Sequence, residues 1–169
     1  MDISDTLAPK SDQLDAVDLL GGPKVFSIER VSKGNAEQPV QIHLAEFPRP
    51  WRPGKSMRRV LVACWGPDAS KYVGRQVRLY CDETVSFGGE RVGGTRISHL
   101  SNLAEAKSVP LLITRGKSAI YTVEPLPTPE QIDACTDKAT LGEMWKASGP
   151  EMRARIEARV SELSPTDQA

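Results

Sequence analysis

Apolar residues recur at two different periods along this 169-residue chain, and the change from one to the other is clearest between Met57 and His99. Met57, Val60, Leu61, Cys64 and Trp65 follow the i, i+3, i+4 spacing of one helical face, with Ser56 placed to cap the helix and Gly66 to stop it. Val77, Leu79 and Cys81 then alternate with Arg78 and Tyr80, which predicts a strand with one apolar side and one side carrying arginine and an aromatic ring. Gly88-Gly89 after Phe87 is a two-glycine hairpin signal, and the return strand runs through Val92, Arg96 and Ile97.

The flanking segments extend this pattern. KVFSIERV (24–31) and PVQIHLAEF (39–47) predict a hairpin, with Val40, Ile42 and Leu44 on one face and Gln41, His43 and Ala45 on the other. Between it and the central helix, FPRPWRPGK holds three prolines that impose an extended loop, from which Arg49, Trp51, Arg52 and Lys55 project. Trp51 there has two readings, exposed between two arginines or packed over the mouth of a barrel. Downstream, VPLLIT and SAIYTVEPL flank Arg115-Gly116-Lys117 and predict a further hairpin with two cations in its turn. Pro125, Pro127 and Pro129 mark a boundary, after which Leu141, Met144, Trp145, Met152, Ile156, Val160 and Leu163 return to helical spacing. Thr128 and Pro129 can start a first helix there, and Pro150 suits the first turn of the last.

Four segments follow: a flexible N-terminal arm (1–23) with at most one helical turn, a β-rich unit (24–125), a helical hairpin (126–163) and a frayed, disordered tail (164–169). Short strands with one interposed helix make the fold mainly β and suit an OB-like small Greek-key β-barrel, with a β-sandwich as the alternative.

Charge changes this picture more than composition does. Net charge is zero, but residues 1–48 hold 4 Lys+Arg against 8 Asp+Glu, residues 49–121 hold 13 against 5, and residues 122–169 hold 5 against 9. A basic middle between acidic ends points to a polyanionic partner. Cations and aromatics interleave through that middle: Arg49, Trp51, Arg52, Lys55, Tyr72, Arg75, Arg78, Tyr80, Phe87, Arg91, Arg96, Arg115, Lys117 and Tyr121. Single-strand binding needs this mixture, since cations neutralise phosphates while rings give exposed bases a surface to stack on.

Other chemistries lack their constellations. Cys64, Cys81 and Cys135 are odd in number and far apart, and read as small buried apolar residues. His43 and His99 have no carboxylate or cysteine at ligand spacing and read as structural. Neither a phosphate loop nor a nucleophile elbow occurs, and the Gly-Gly pairs at 88–89 and 93–94 suit turns and bulges. No enzyme, cofactor or metal is expected. The acidic, polar start of the chain differs from a signal peptide, and no apolar run is long enough to span a membrane, so a cytoplasmic location is expected.

RRVLVACWGPDASKYVGRQVRLYCDETVSFGGERVGGTRISHLS resembles a group of small proteins of tailed bacteriophages, particularly actinophages, that share a helix, a WG-x-D turn, a Y-x-G-R/K-x-V-x-L-Y strand and a V-x-F-G-G-x-x-V-G-G-x-R-I-S-H hairpin. The resemblance spans roughly residues 12–125. It implies an OB-fold protein that binds single-stranded DNA in phage replication or recombination, acting in the host cytoplasm. Proteins of that class often end in an acidic, aromatic-tipped tail, and SPTDQA departs from this, so any phage or host partner would be met through residues 128–163. A homo-oligomer is compatible with the pattern. The rival reading is an adaptor or inhibitor of a host factor that acts through the acidic C-terminal helices, and a nuclease with scattered carboxylates ranks below both.

Overall fold

The alternating residues of the central stretch form the strand on which the fold is built. A computed structural model describes residues 3–7, 11–87, 90–91, 94–114 and 117–164 of the chain. Its strands are β1 (Lys24–Lys33), β2 (Val40–Leu44), β3 (Gln76–Asp82), β4 (Ser86–Phe87), β5 (Glu90–Arg91), β6 (Gly94–Leu100), β7 (Lys107–Thr114) and β8 (Lys117–Pro125). Six of them make one sheet in the order β2-β1-β3-β6-β8-β7, and β4 pairs with β5 in a separate small ladder. Neighbours run antiparallel except β6 and β8, whose parallel pairing covers His99–Glu124 and Leu100–Pro125. Val77 and Leu79 in β3 and Ile97 and Leu100 in β6 are fully buried on the core side.

Helix α1 (Lys55–Trp65) follows the predicted spacing and packs Met57, Val60, Leu61 and Trp65 into the core. The Met57 sulfur accepts the Ile97 backbone N–H at 3.3 Å, and the helix also meets edge strand β7. Its N-cap is Gly54 and not Ser56. Gly66 does end it, at φ 88°, a left-handed conformation that suits glycine.

The fold is therefore mixed α/β, largely β, with a six-stranded sheet and four helices. A closed barrel is not reached, because β2 and β7 remain edges of the sheet. Trp51 extends the β2 edge by a single bridge to Ile42, and α1 lies against the β7 edge. The arm also departs from expectation. Leu14 and Leu19 are buried in the sheet's core, and the 3-10 turn Ala16–Leu19 lies against β3 and β6, so residues 11–20 belong to the sheet unit. The spacing of Leu14 and Leu19 is that of a short segment laid across a core, which a periodicity search for longer helices passes over.

The C-terminal region holds three helices where a hairpin of two is expected: α2 (Pro129–Ala134), α3 (Lys138–Ala147) and α4 (Pro150–Leu163). Thr128 caps α2 in a reciprocal bond with Gln131, and Pro150 opens α4. The additional break arises at Asp137, whose carboxylate accepts the Ala139 N–H and starts α3. Ile132, Leu141 and Ile156 form a second buried cluster, separate from that of the sheet. Among the described residues, no helix is long and apolar enough to cross a membrane.

Candidate nucleic-acid interface

Three of the proposed contact residues lie in the proline loop, and all three serve the fold. Trp51 is 0% exposed and its indole N–H donates to Thr95 Oγ1 at 2.8 Å, so its ring is sealed in the core and has no face to offer a base. Arg49 donates to the backbone oxygens of Ser11 and Gln13 and pairs with Asp18 at 2.8 Å. Arg52 makes a two-pronged bond to Asp12 and also donates to Gln41. That bond holds the Asp12 carboxyl below the usual carboxylate range. The acidic N-terminal segment thus neutralises the cations of this loop, which become the clamp that seats the segment on the sheet.

Arg75 and Lys55 stand apart from these and from each other. The Arg75 guanidinium lies 5.2 Å from the centroid of the Trp65 ring, a cation–π contact at the end of α1. Lys55 is exposed in the first turn of α1, where it edges a shallow groove with Arg58, Arg59 and Val62.

The outer face of β3 and β6 brings the remaining described candidates together. Because Val77 and Leu79 point inward, Arg78 and Tyr80 point outward, and Tyr80 sits directly opposite Arg96. Arg96 faces Asp82 at 3.7 Å. Burial works against ionisation of Asp82, but bonds from the Thr84 hydroxyl and N–H, helped by Arg96, outweigh it and hold its carboxyl low. Tyr80 places its hydroxyl 3.4 Å from that of Tyr121, which in turn donates to the Ile97 carbonyl. Burial, and then the bond with Tyr80, push the Tyr121 phenol up and keep it protonated.

Towards the other end of the face a register shift between Arg78 and Leu79 inserts Ser98 into the ladder, and Arg78 Nη1 donates to its hydroxyl at 2.9 Å. Arg78 Nη2 reaches the Lys146 carbonyl of α3 at 3.3 Å. His99, paired opposite Arg78, has its pKa pushed down to about 4 by burial and then by the Arg78 charge, so it is neutral. His43 on β2 is structural in a different way. Arg30 can only donate, so its bond to Nδ1 leaves the hydrogen on Nε2, which donates to Ser32 Oγ at 2.9 Å.

The described candidates therefore do not converge on one surface. Arg78, Tyr80 and Arg96 share the outer face; Arg49, Trp51 and Arg52 are structural; Arg75 lies on Trp65; and Lys55 belongs to α1. Phe87, Arg91 and Lys117 have described backbones in β4, β5 and β8, but their side chains fall outside the described residues, as does Arg115 altogether. Sequence reasoning read His99 on the same face as structural and passed over Ser98 there and Arg58 and Arg59 on α1. The last two were legible as cations at i+3 and i+4 from Lys55 in a helix without a single acid. No protein-family model matches this chain, and no curated protein or solved structure does either.

Proposed function

We propose that the protein binds single-stranded DNA, without catalysing a reaction and with low sequence specificity, on the outer face of β3 and β6. The observation that carries this reading is the Tyr80–Arg96 cross-strand pair, an aromatic ring and a guanidinium directly opposite one another with Arg78 farther along the same face. Stacking and phosphate neutralisation are then available side by side. The strand order supports it. β1 pairs antiparallel with β3 and β3 with β6, and a parallel step then leads to β8 and its hairpin partner β7, a mixed order compatible with an OB-like sheet that β2 and β7 leave open. A role in phage replication or recombination rests on the resemblance of the central sequence.

Labelled oligothymidine titrated against duplex at two salt concentrations tests the proposal. We expect tighter binding of the single strand. Arg96→Ala should reduce the salt slope by about 0.7, the share of one phosphate contact on a single strand. Tyr80→Ala should cost about 1–3 kcal/mol with the slope unchanged. Equal affinity of both variants and the parent chain would remove this face as the site.

A second reading, a protein-binding adaptor, is favoured by one feature. An open groove of about 250 Å³ between α3 and α4 is lined by Leu141, Trp145, Ile156 and Val160, with Gly142 leaving its wall bare. Gly142→Leu would fill that groove. It should leave oligothymidine binding intact and abolish partner binding if the adaptor reading is correct.

A further inference from the structure

We infer that the C-terminal helices form a displaceable cover over one end of the β3–β6 face, latched by Arg78 of the sheet on the carbonyl end of α3, and that a phosphate backbone competes with this latch for Arg78. The inference rests on the nucleic-acid reading of that face and adds a regulation to it.

The latch is one guanidinium bond from the sheet to a helix terminus that already holds a second guanidinium from within the cover. Arg78 comes from the sheet and donates to the Lys146 carbonyl at 3.3 Å. Arg153 comes from α4, donates to the neighbouring Trp145 carbonyl at 3.0 Å and lies over the Trp145 ring at 3.9 Å. Both therefore meet the negative end of the α3 dipole, and neither bond involves a carboxylate. Two like charges are held close together by neutral acceptors, and burial followed by the Arg153 charge disfavours the protonated form of Arg78. An anion arriving there relieves that repulsion. Phosphate also offers Arg78 an anionic acceptor that can take two parallel bonds, where the carbonyl takes one.

The cover can leave without disturbing either core. Among the described residues, the apolar cluster of Ile132, Leu141 and Ile156, with Met144, Met152 and Val160 against it, includes no residue of the sheet, and the sheet's cluster includes none of α2, α3 or α4. Apart from the latch, the seat is Gly149 against Val25, where an added Cβ would stand 3.3 Å from the valine Cβ. Beside it a pocket of about 330 Å³ opens between Val25 and Phe47 on one side and Ser148 and Pro150 on the other, so the seam is incompletely packed. The chain also provides a hinge. Leu126 is anchored by its N–H to the Leu100 carbonyl, and Thr128 already caps α2, which leaves Pro127 as the joint between the two units.

That close approach supplies the test. Cysteines at both positions, Val25→Cys with Gly149→Cys in the full chain, would place their Cβ atoms near disulfide spacing and lock the cover down. Oxidised, this variant should bind oligothymidine at least fivefold more weakly than when reduced and show a smaller salt slope, while the parent chain is indifferent to reductant. Equal affinity in the two redox states overturns the cover. A second measurement needs no nucleic acid. Ser148 is 6% exposed at the seam, and the near-isosteric Ser148→Cys can be pulse-labelled in increasing urea and read by peptide mass mapping. Labelling should proceed with a much shallower urea dependence than global unfolding, and labelling only on global unfolding overturns the proposal. If the parent chain fails to bind oligothymidine at all, the nucleic-acid reading and the competition both fall, and the labelling still decides whether the helices open.

Discussion

The sheet unit and the helical unit are stabilised in different ways. In the sheet unit each buried tryptophan and tyrosine also makes a polar bond far along the chain or across a turn: Trp51 to Thr95, Trp65 to the Ser101 carbonyl, Tyr72 to the Gly66 carbonyl. Such rings contribute apolar burial and fix register together. The helical unit has Ile132, Leu141 and Ile156 as its fully enclosed side chains, and its polar links are outward pairs such as Arg155–Asp133 and Arg159–Glu162. Exposed pairs of that kind contribute little. A segment of about forty residues with so small a core is at the lower limit of independent stability, and its core is separate from that of the sheet.

The strongest test of this contrast is Trp51→Ala. Loss of a fully enclosed indole and its bond to Thr95 should cost about 3–5 kcal/mol and move the main urea transition, followed by near-ultraviolet circular dichroism. Leu141→Ala should cost about 2–3 kcal/mol within the helices alone, read as helical signal lost at low urea while the main transition stays in place. A common shift of both transitions would show that the two units unfold as one. Arg49→Ala should cost about 2 kcal/mol, because one side chain holds Asp18 and two backbone oxygens, and should raise hydrogen exchange in residues 11–20 before the rest of the sheet.

The last test concerns pH, and its effect is absent at neutral pH. Since the folded pKa of His99 is about 4, below the ordinary value of 6.5, the unfolded chain takes up that proton first as pH falls. Stability is unaffected by this group above about pH 6.5 and declines from there towards pH 4. His99→Gln should flatten that decline in urea midpoints measured across the interval, and an unchanged pH profile would show that His99 is protonated in the folded chain as readily as in the unfolded one.

Local patterns were legible in the sequence where one physical cause governs them. Alternation at Val77, Leu79 and their polar neighbours reports burial of one face, so the outward direction of Arg78 and Tyr80 followed directly. Gly66 and Pro150 act through backbone geometry alone and were equally plain. What stayed hidden depends on distant partners. Nothing near Arg49 or Arg52 in sequence indicates that Asp18 and Asp12 will claim them, and a tryptophan between arginines carries no local sign that Thr95 awaits its indole N–H. The charge blocks had a second meaning for the same reason: part of the acidic N-terminal segment neutralises part of the basic middle within the fold.

The single parallel step in the sheet bears on how the chain assembles. β7 and β8 are neighbours in sequence and zip together over most of their length, whereas β8 joins β6 through two residue pairs and the Tyr121 hydroxyl on Ile97. The hairpin can therefore form early from local contacts, and its docking is the late, entropically costly event. Nascent chains would leave the β6 edge bare until residues near 125 have been synthesised, which makes that edge the most exposed to wrong pairing during synthesis.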